Sequence, residues 1–248
     1  MSLNSKMSIG SDPMNQSQFR KGLLDGLPIG LGYLSVSFAF GIFAVNSGLS
    51  AAEASLISMT CLTSAGQLAA VPIMVGGGSL LELIVSQIVI NLRYSLMSIS
   101  LSQKLDSGVT IGDRFAVAFF NTDEIFAVAS SQPGQVGRGY LYGLGVLPWI
   151  GWAGGTIFGA LAGNVLPAVV TSSLGVAIYG MFIAIVVPVA RQERPVALCV
   201  AIAVALSCAF EFVPLLQRVP SGFTVILCAV AASAVMAVLA PIPEEVTA

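Results

Sequence analysis

Four stretches of the chain, from Gly26 to Ala52, Ala54 to Leu81, Gly139 to Ala190 and Val219 to Pro243, contain no Asp, Glu, Lys or Arg. Each exceeds the roughly 20 apolar residues that cross a bilayer core, and the one beginning at Gly139 is long enough to cross twice. Lipid offers no water to pair free amides, so a spanning segment is a helix or part of a closed barrel. These runs lack the period-two alternation of barrel strands. Only 9% of the 248 residues are charged, against roughly 25% in soluble domains. The sequence therefore reads as an all-α integral membrane protein, a bundle of about eight transmembrane helices, some of them broken.

Helices are expected near Leu27–Ser47, Ala52–Val75, Leu80–Gln103, Phe115–Ser131, Tyr140–Asn164, Ala168–Ala190, Val196–Val213 and Gly222–Leu239. Residues 1–21 read as a disordered cytoplasmic tail, 22–243 as the transmembrane transporter domain and 244–248 as a C-terminal tail. Eight crossings with an inside N-terminus put Lys6, Arg20, Lys21, Arg138, Arg191 and Arg194 inside and Lys104, Arg114 and Arg218 outside. That excess of basic residues on the inside favours this orientation. It implies a multi-pass protein of a cytoplasmic membrane with its N-terminus inside.

Glycines recur every fourth residue at Gly22, Gly26 and Gly30, and again at Gly151, Gly155, Gly159 and Gly163. In lipid such stripes let two helices approach closely. Gly76-Gly77-Gly78-Ser79 has no following Lys-Ser or Lys-Thr and reads as a turn rather than a phosphate loop. Leu27-Pro28-Ile29-Gly30 is echoed by Leu147-Pro148-Trp149-Ile150-Gly151, which raises the prospect of two repeated halves, a common transporter architecture.

An ionisable residue at membrane depth is costly unless it is paired or lines a cavity, and so marks function. Those that qualify are Asp25, Glu82, Arg93, Asp123, Glu124 and Glu211. Arg93 cannot escape its cost by losing a proton, so it needs an anion. Asp123 and Glu124 are the candidates, either as a salt bridge or as partners that give way to a substrate carboxylate. The helix carrying Arg93 has polar residues on two opposite faces, so it is expected to be buried all round or to break near Asn91-Leu92-Arg93. Asp123, Glu124 and Glu211 are candidates for ion coupling. Pro28, Gly66 and Pro72 are candidate hinges, and Gln67, which can both donate and accept, is a candidate substrate ligand beside them.

No His is present, and the three lysines lie in a tail or a loop. General-base, Schiff-base and zinc chemistry thus lose their usual residues, and neither an enzyme nor a metal or organic cofactor is expected. The basic residues are scattered, which argues against nucleic acid. Cys61, Cys199, Cys208 and Cys228 sit in apolar runs without a CxxC spacing and read as packing. A cation channel would need an oligomer to form a ring from Asp123 and Glu124. A carrier is favoured.

The motifs Gly22-x-x-Asp25-x-Leu27-Pro28-Ile29, Phe38-Ala39-Phe40-Gly41 with Gly48-Leu49-Ser50, Ala65-Gly66 after Thr63, and Asn91-Leu92-Arg93 followed by Thr122-Asp123-Glu124 resemble the AzlC family, the large subunits of bacterial branched-chain amino acid exporters. The resemblance runs from about Phe19 to Pro241. Members often show Ala-Gly-x-x-Gln and Arg-His where this chain has Ala65-Gly66-Gln67 and Arg93-Tyr94. The resemblance implies ion-gradient-driven export of Leu, Ile, Val or similar amino acids, with a small hydrophobic AzlD-type subunit. Arg93, Gln67, Asn91, Tyr94 and Asp123 would then be the substrate-binding residues, with other small solutes as the alternative cargo.

Overall fold

The computed structural model describes residues 13–163 and 186–240, together with 169, 180 and 183. Most of the helix expected at Ala168–Ala190 lies outside the described residues, as do 1–12 and 241–248. The described residues include nine α-helices with both ends described, and residues 186–192 are helical as well. The nine are α1 (Pro13–Asn46), α2 (Ala51–Thr60), α3 (Ser64–Val75), α4 (Leu80–Ser102), α5 (Ile111–Phe120), α6 (Asp123–Ser131), α7 (Arg138–Ala162), α8 (Arg194–Phe212) and α9 (Ser221–Leu239). Five of them, α1, α4, α7, α8 and α9, are long and apolar enough to cross a membrane.

The fold is organised around α1 and α7. Gly22, Gly26, Gly30 and Gly41 lie against the backbone of Tyr140, Leu144, Leu147 and Thr156; in return Gly143, Gly151, Gly155 and Gly159 lie against Phe19, Gly30, Leu34 and Phe38. Residue numbers rise together on both sides, so the two helices run parallel. A methyl group at Gly26 would sit 2.6 Å from the Leu144 carbonyl oxygen, and one at Gly30 2.8 Å from that of Leu147. Only glycine permits this approach, which supplies the dispersion contacts that hold helices together in lipid. The sequence echo between Leu27–Gly30 and Leu147–Gly151 falls on this seam, because parallel helices in close contact need small residues at matching depths.

This seam also corrects the expected N-terminal tail. Helix α1 starts at Pro13, the Phe19 carbonyl packs on Gly143, and Lys21 donates to Gln132 and stacks over the Tyr140 ring at 5.0 Å. Residues 13–21 are thereby part of the helical body. Pro28 lies inside α1 without interrupting it.

The spans expected at Ala52–Val75 and Phe115–Ser131 are each two half-helices. At 1.5 Å per residue the ten residues of α2 reach about 15 Å, half of a bilayer core of about 30 Å. Helix α2 ends at Cys61, and α3 begins where the Thr63 hydroxyl accepts the Gly66 amide at 3.0 Å. The pair then turns back. The Ser58 hydroxyl near the end of α2 donates to Gln67 Oε1 near the start of α3 at 3.3 Å, while Val75 at the end of α3 returns beside Gly48 at the end of α1. Pro72 sits within α3 and does not break it.

The second hairpin is built the same way from the other end. A capping box between Thr110 and Asp113 starts α5, as one between Ser50 and Glu53 starts α2. The chain breaks at Asn121-Thr122, and α6 returns so that Lys104 donates to the Ser130 carbonyl and Gln132 accepts from Lys21. Backbone bonds between Asp106 and Val136 at 3.1 Å and Val136 and Lys104 at 2.9 Å close its base. One hairpin thus enters from the C-terminal end of α1, the other from its N-terminal end, and their tips lie at mid-depth. Glycine and branched residues gave the sequence no period by which to separate two half-helices in line from two folded back.

Helix α4 runs antiparallel to α1 and is continuous through Asn91-Leu92-Arg93, so the expected break there is absent. Nor is it buried all round among the described residues. Glu82 and Ser86 are buried near one end and Leu101 near the other, but Leu92, Leu96 and Ile99 are exposed. Leu80, Ile84, Ile88, Leu92, Leu96 and Ile99 are all exposed and recur every three or four residues, so they form one apolar stripe along the whole of α4, while α3 packs on another face of its first half. At its start Glu82 accepts the Gly222 amide at 2.8 Å, which docks α9 there. Pro195 and Cys199 of α8 share a groove with Met236 and Ala240 at the end of α9, so α8 and α9 are antiparallel.

Candidate functional site

The break between α5 and α6 leaves the first amides of α6 at mid-depth. Thr122 occupies the N-cap position but makes no side-chain cap, because its hydroxyl faces Tyr33 of α1, 2.7 Å away. The positive end of the α6 dipole is instead met by acids in its first turn, Asp123 and Glu124, where negative charge is stabilised. Tyr33 also donates to the Glu124 carboxylate.

Asp123 pairs with Arg93, Nη1 to Oδ2 2.5 Å, the two side chains being 50% and 45% exposed. Arg93 projects from the uncovered middle of α4. It also donates to the Tyr94 hydroxyl at 3.2 Å and lies over that ring, 4.8 Å from its centre. The pair is therefore held but not sealed: half of each side chain remains reachable. A buried, fully bonded ion pair would resist exchange; this one can trade a protein carboxylate for a ligand's.

Of the sequence candidates, Arg93, Tyr94, Asp123 and Glu124 come together. Gln67 is buried at 1% exposure, and its amide is engaged within the first hairpin, accepting from Ser58 and donating to the Cys61 carbonyl. Asn91 donates to Gln87 at 3.1 Å, and Gln87 donates to the Gly66 carbonyl at 3.0 Å. Asn91 and Gln67 thus belong to the first tip, against α4, rather than to the Arg93 cluster. A methyl at Gly66 would lie 2.6 Å from Gln87 Oε1, so this glycine serves close packing of α3 on α4. Glu211 lies exposed near the C-terminal end of α8, where its carbonyl accepts from Gln217 at 2.5 Å; the fold does not bring it to the tips. Asp25 accepts from Tyr140 at 2.7 Å and faces Lys21 at 3.8 Å, near the base of the second hairpin.

Five contributors, Tyr33, Trp152, Trp149, Ser58 and Thr156, are not among the residues the sequence singled out. Tyr33 bridges α1 to the second tip, and the Trp152 ring of α7 meets Tyr33 edge-on, 5.3 Å between centres. Trp149 donates to the Met59 carbonyl at 3.0 Å, closing an orphan acceptor at the end of α2, and Ser58 and Thr156 hydroxyls meet at 2.7 Å. An isolated Tyr or Trp in an apolar run carries no sequence signal of its role. Thr122 did carry one, as a capping residue directly before two acids. No group of three or more potential metal ligands occurs among the described residues.

The two tips, the ion pair and the part of the glycine seam from Gly30 onward lie within a segment that matches a family model. Residues 28–166, from α1 past the end of α7, match the model described as AzlC protein. An uncharacterized membrane protein of Archaeoglobus fulgidus is 35% identical over 176 residues, covering 69% of this chain and 76% of the relative. Inner membrane protein YgaZ of Escherichia coli is 29% identical over 190 residues, covering 73% and 76%. No solved structure matches the chain. The matched segment exceeds half of the chain and the relatives are aligned over most of their length: this membrane protein belongs to the AzlC family.

Proposed function

We propose that the chain is a secondary transporter that exports branched-chain or similar apolar amino acids, driven by an ion gradient and assembled with a small AzlD-type subunit. The observation that carries this reading is the half-exposed Arg93–Asp123 pair at the tip of α6. Arg93 offers a planar fork for the substrate carboxylate. Asp123, released from it, and the neighbouring Glu124 take the ammonium or a proton. Membership of the AzlC family supports the same class of activity.

The hairpins give this reading a mechanical basis. They enter from opposite ends, start with matching capping boxes and end at mid-depth. Paired inverted elements around a central site are how many secondary transporters expose one site to either side in turn. Loosening of the first tip would open the site toward the C-terminal end of α1, and loosening of the second toward its N-terminal end.

For orientation, Arg20, Lys21, Lys104, Arg114, Arg138, Arg191 and Arg194 all fall at the N-terminal end of α1, leaving Arg218 at the other and Arg93 between. Lys104 and Arg114, expected outside on the reading of Ala52–Val75 as a crossing, join the first group because the first hairpin returns and α4 runs antiparallel to α1. By the positive-inside rule this distribution supports a cytoplasmic N-terminus, with the second hairpin opening on the cytoplasmic side.

The test is efflux of labelled leucine from cells loaded with a leucine dipeptide. Cells producing the chain with a small AzlD-type subunit should release leucine faster than cells without it, and Arg93→Gln should abolish the difference. Equal efflux with and without the chain would reject leucine export.

A further inference from the structure

A second feature lies between the latter half of α4 and α5, outside the Arg93 cluster. It is a cavity of about 100 Å³ lined by Ser98, Leu101 and Leu105 on one side and Arg114, Val117 and Asn121 on the other. Its chemistry changes along its length. Leu101, Leu105 and Val117 are buried and apolar. Arg114, at the end nearer the base of the hairpin, is exposed, and its guanidinium has no hydrogen-bond or ion-pair partner among the described residues. At the inner end sits Asn121, 3% exposed.

Asn121 is only half satisfied. Its Nδ2 donates to Ser98 Oγ at 3.0 Å, but its Oδ1 is buried with no partner. Few buried polar groups in folded proteins are left so. The cavity beside it is where a donor can enter. Asn121 directly precedes Thr122 and Asp123, so whatever donates there stands one step from the ion pair.

Resting on the export reading above, we infer that this cavity is a loading subsite for the amino acid on its way to the Arg93–Asp123 pair. The ammonium group leads and donates to Asn121 Oδ1. The aliphatic side chain lies among Leu101, Leu105 and Val117, and the carboxylate trails toward Arg114. Arg114 and Asn121 are two turns apart on α5, about 10 Å along the axis, a gap that the flexible Arg114 side chain shortens. A substrate so oriented presents its ammonium first to Asp123 and Glu124, which would loosen the hold of Asp123 on Arg93 and free the guanidinium for the carboxylate.

The experiment is uptake of labelled leucine, as a function of its concentration, into inside-out vesicles from cells producing the chain with a small AzlD-type subunit, energised by respiration to carry proton and sodium gradients; the end of the chain bearing Arg114 then faces the medium. Val117→Phe fills the cavity and Asn121→Leu removes the acceptor. Each should raise the half-saturating concentration at least five-fold while the maximal rate stays within two-fold of wild type. Asn121→Asp, which keeps an acceptor, should stay near the wild-type value. Wild-type half-saturation in both Val117→Phe and Asn121→Leu, or a fall in maximal rate alone, would overturn the subsite while leaving Arg93-dependent export standing. Wild-type vesicles that take up no leucine would instead overturn the export reading and the subsite with it. Should Val117→Phe fail to accumulate in membranes, the contrast between Asn121→Leu and Asn121→Asp decides alone.

Discussion

Arg93, on a helix long and apolar enough to cross a membrane, pairs at 2.5 Å with Asp123, in the first turn of a helix less than half as long. The contact links a continuous element to the tip of a hairpin, so its making and breaking can be coupled to movement of that tip. Asp123→Asn keeps the shape but removes the charge. Transport should fall at least ten-fold, with the protein still present in the membrane at wild-type levels; an unchanged rate would show that the charge of Asp123 is not used.

Tyr33 fixes the second tip from α1 through Thr122 and Glu124. A hydrogen bond to a charged group contributes about 1.5 to 3 kcal/mol, so Tyr33→Phe should lower thermal stability in detergent and slow transport while leaving the half-saturating leucine concentration little changed. An unaltered melting temperature and rate would mean that the tip is held by other contacts.

The α1–α7 seam should tolerate nothing larger than glycine at its tightest points. Overpacking a close contact costs about 1 to 3 kcal/mol, and here the obstacle is backbone rather than a movable side chain. Gly26→Leu and Gly151→Val are expected to reduce the amount of folded protein, measured by monodisperse yield in detergent. Gly32→Ala and Gly154→Ala, where an added methyl meets nothing within 4 Å, are the controls and should behave as wild type.

The hairpin architecture makes a sidedness prediction that a bundle of eight crossings does not share. In a background with Cys61, Cys199, Cys208 and Cys228 replaced by Ser, single cysteines at Ser107 and Gln135 should react with a membrane-impermeant thiol reagent from the same side, and one at Gln217 from the other. These three positions are exposed. Labelling of Ser107→Cys and Gln135→Cys from opposite sides would restore the second hairpin to a full crossing.

The helical character of the chain, the position of α4 and of the last two helices, and the central place of Arg93 were all legible in the sequence, because charge is so rarely spent inside an apolar run. The direction of the chain after Cys61 and after Asn121 was not. A hairpin of two half-helices and a broken crossing have the same length and the same composition; what separates them is long-range contact, such as Ser58 with Gln67 and Lys104 with Ser130. Gln67 looked like a ligand because it is polar at membrane depth, yet its amide is engaged by the turn it stabilises. Tyr33 and Asn121 were silent for the opposite reason: their importance comes from the neighbours that the fold brings to them.

The most direct test of the account is a charge exchange at the central pair, Arg93→Asp combined with Asp123→Arg, assayed for leucine efflux beside each single variant. A salt bridge that only holds helices together is indifferent to which side carries which sign. A substrate site is not, since the guanidinium must stay on α4 to receive the carboxylate. The account predicts that the exchanged protein regains the stability lost in the single variants but exports no leucine. Export restored to the wild-type rate by the exchange would contradict it and reduce Arg93–Asp123 to a structural pair.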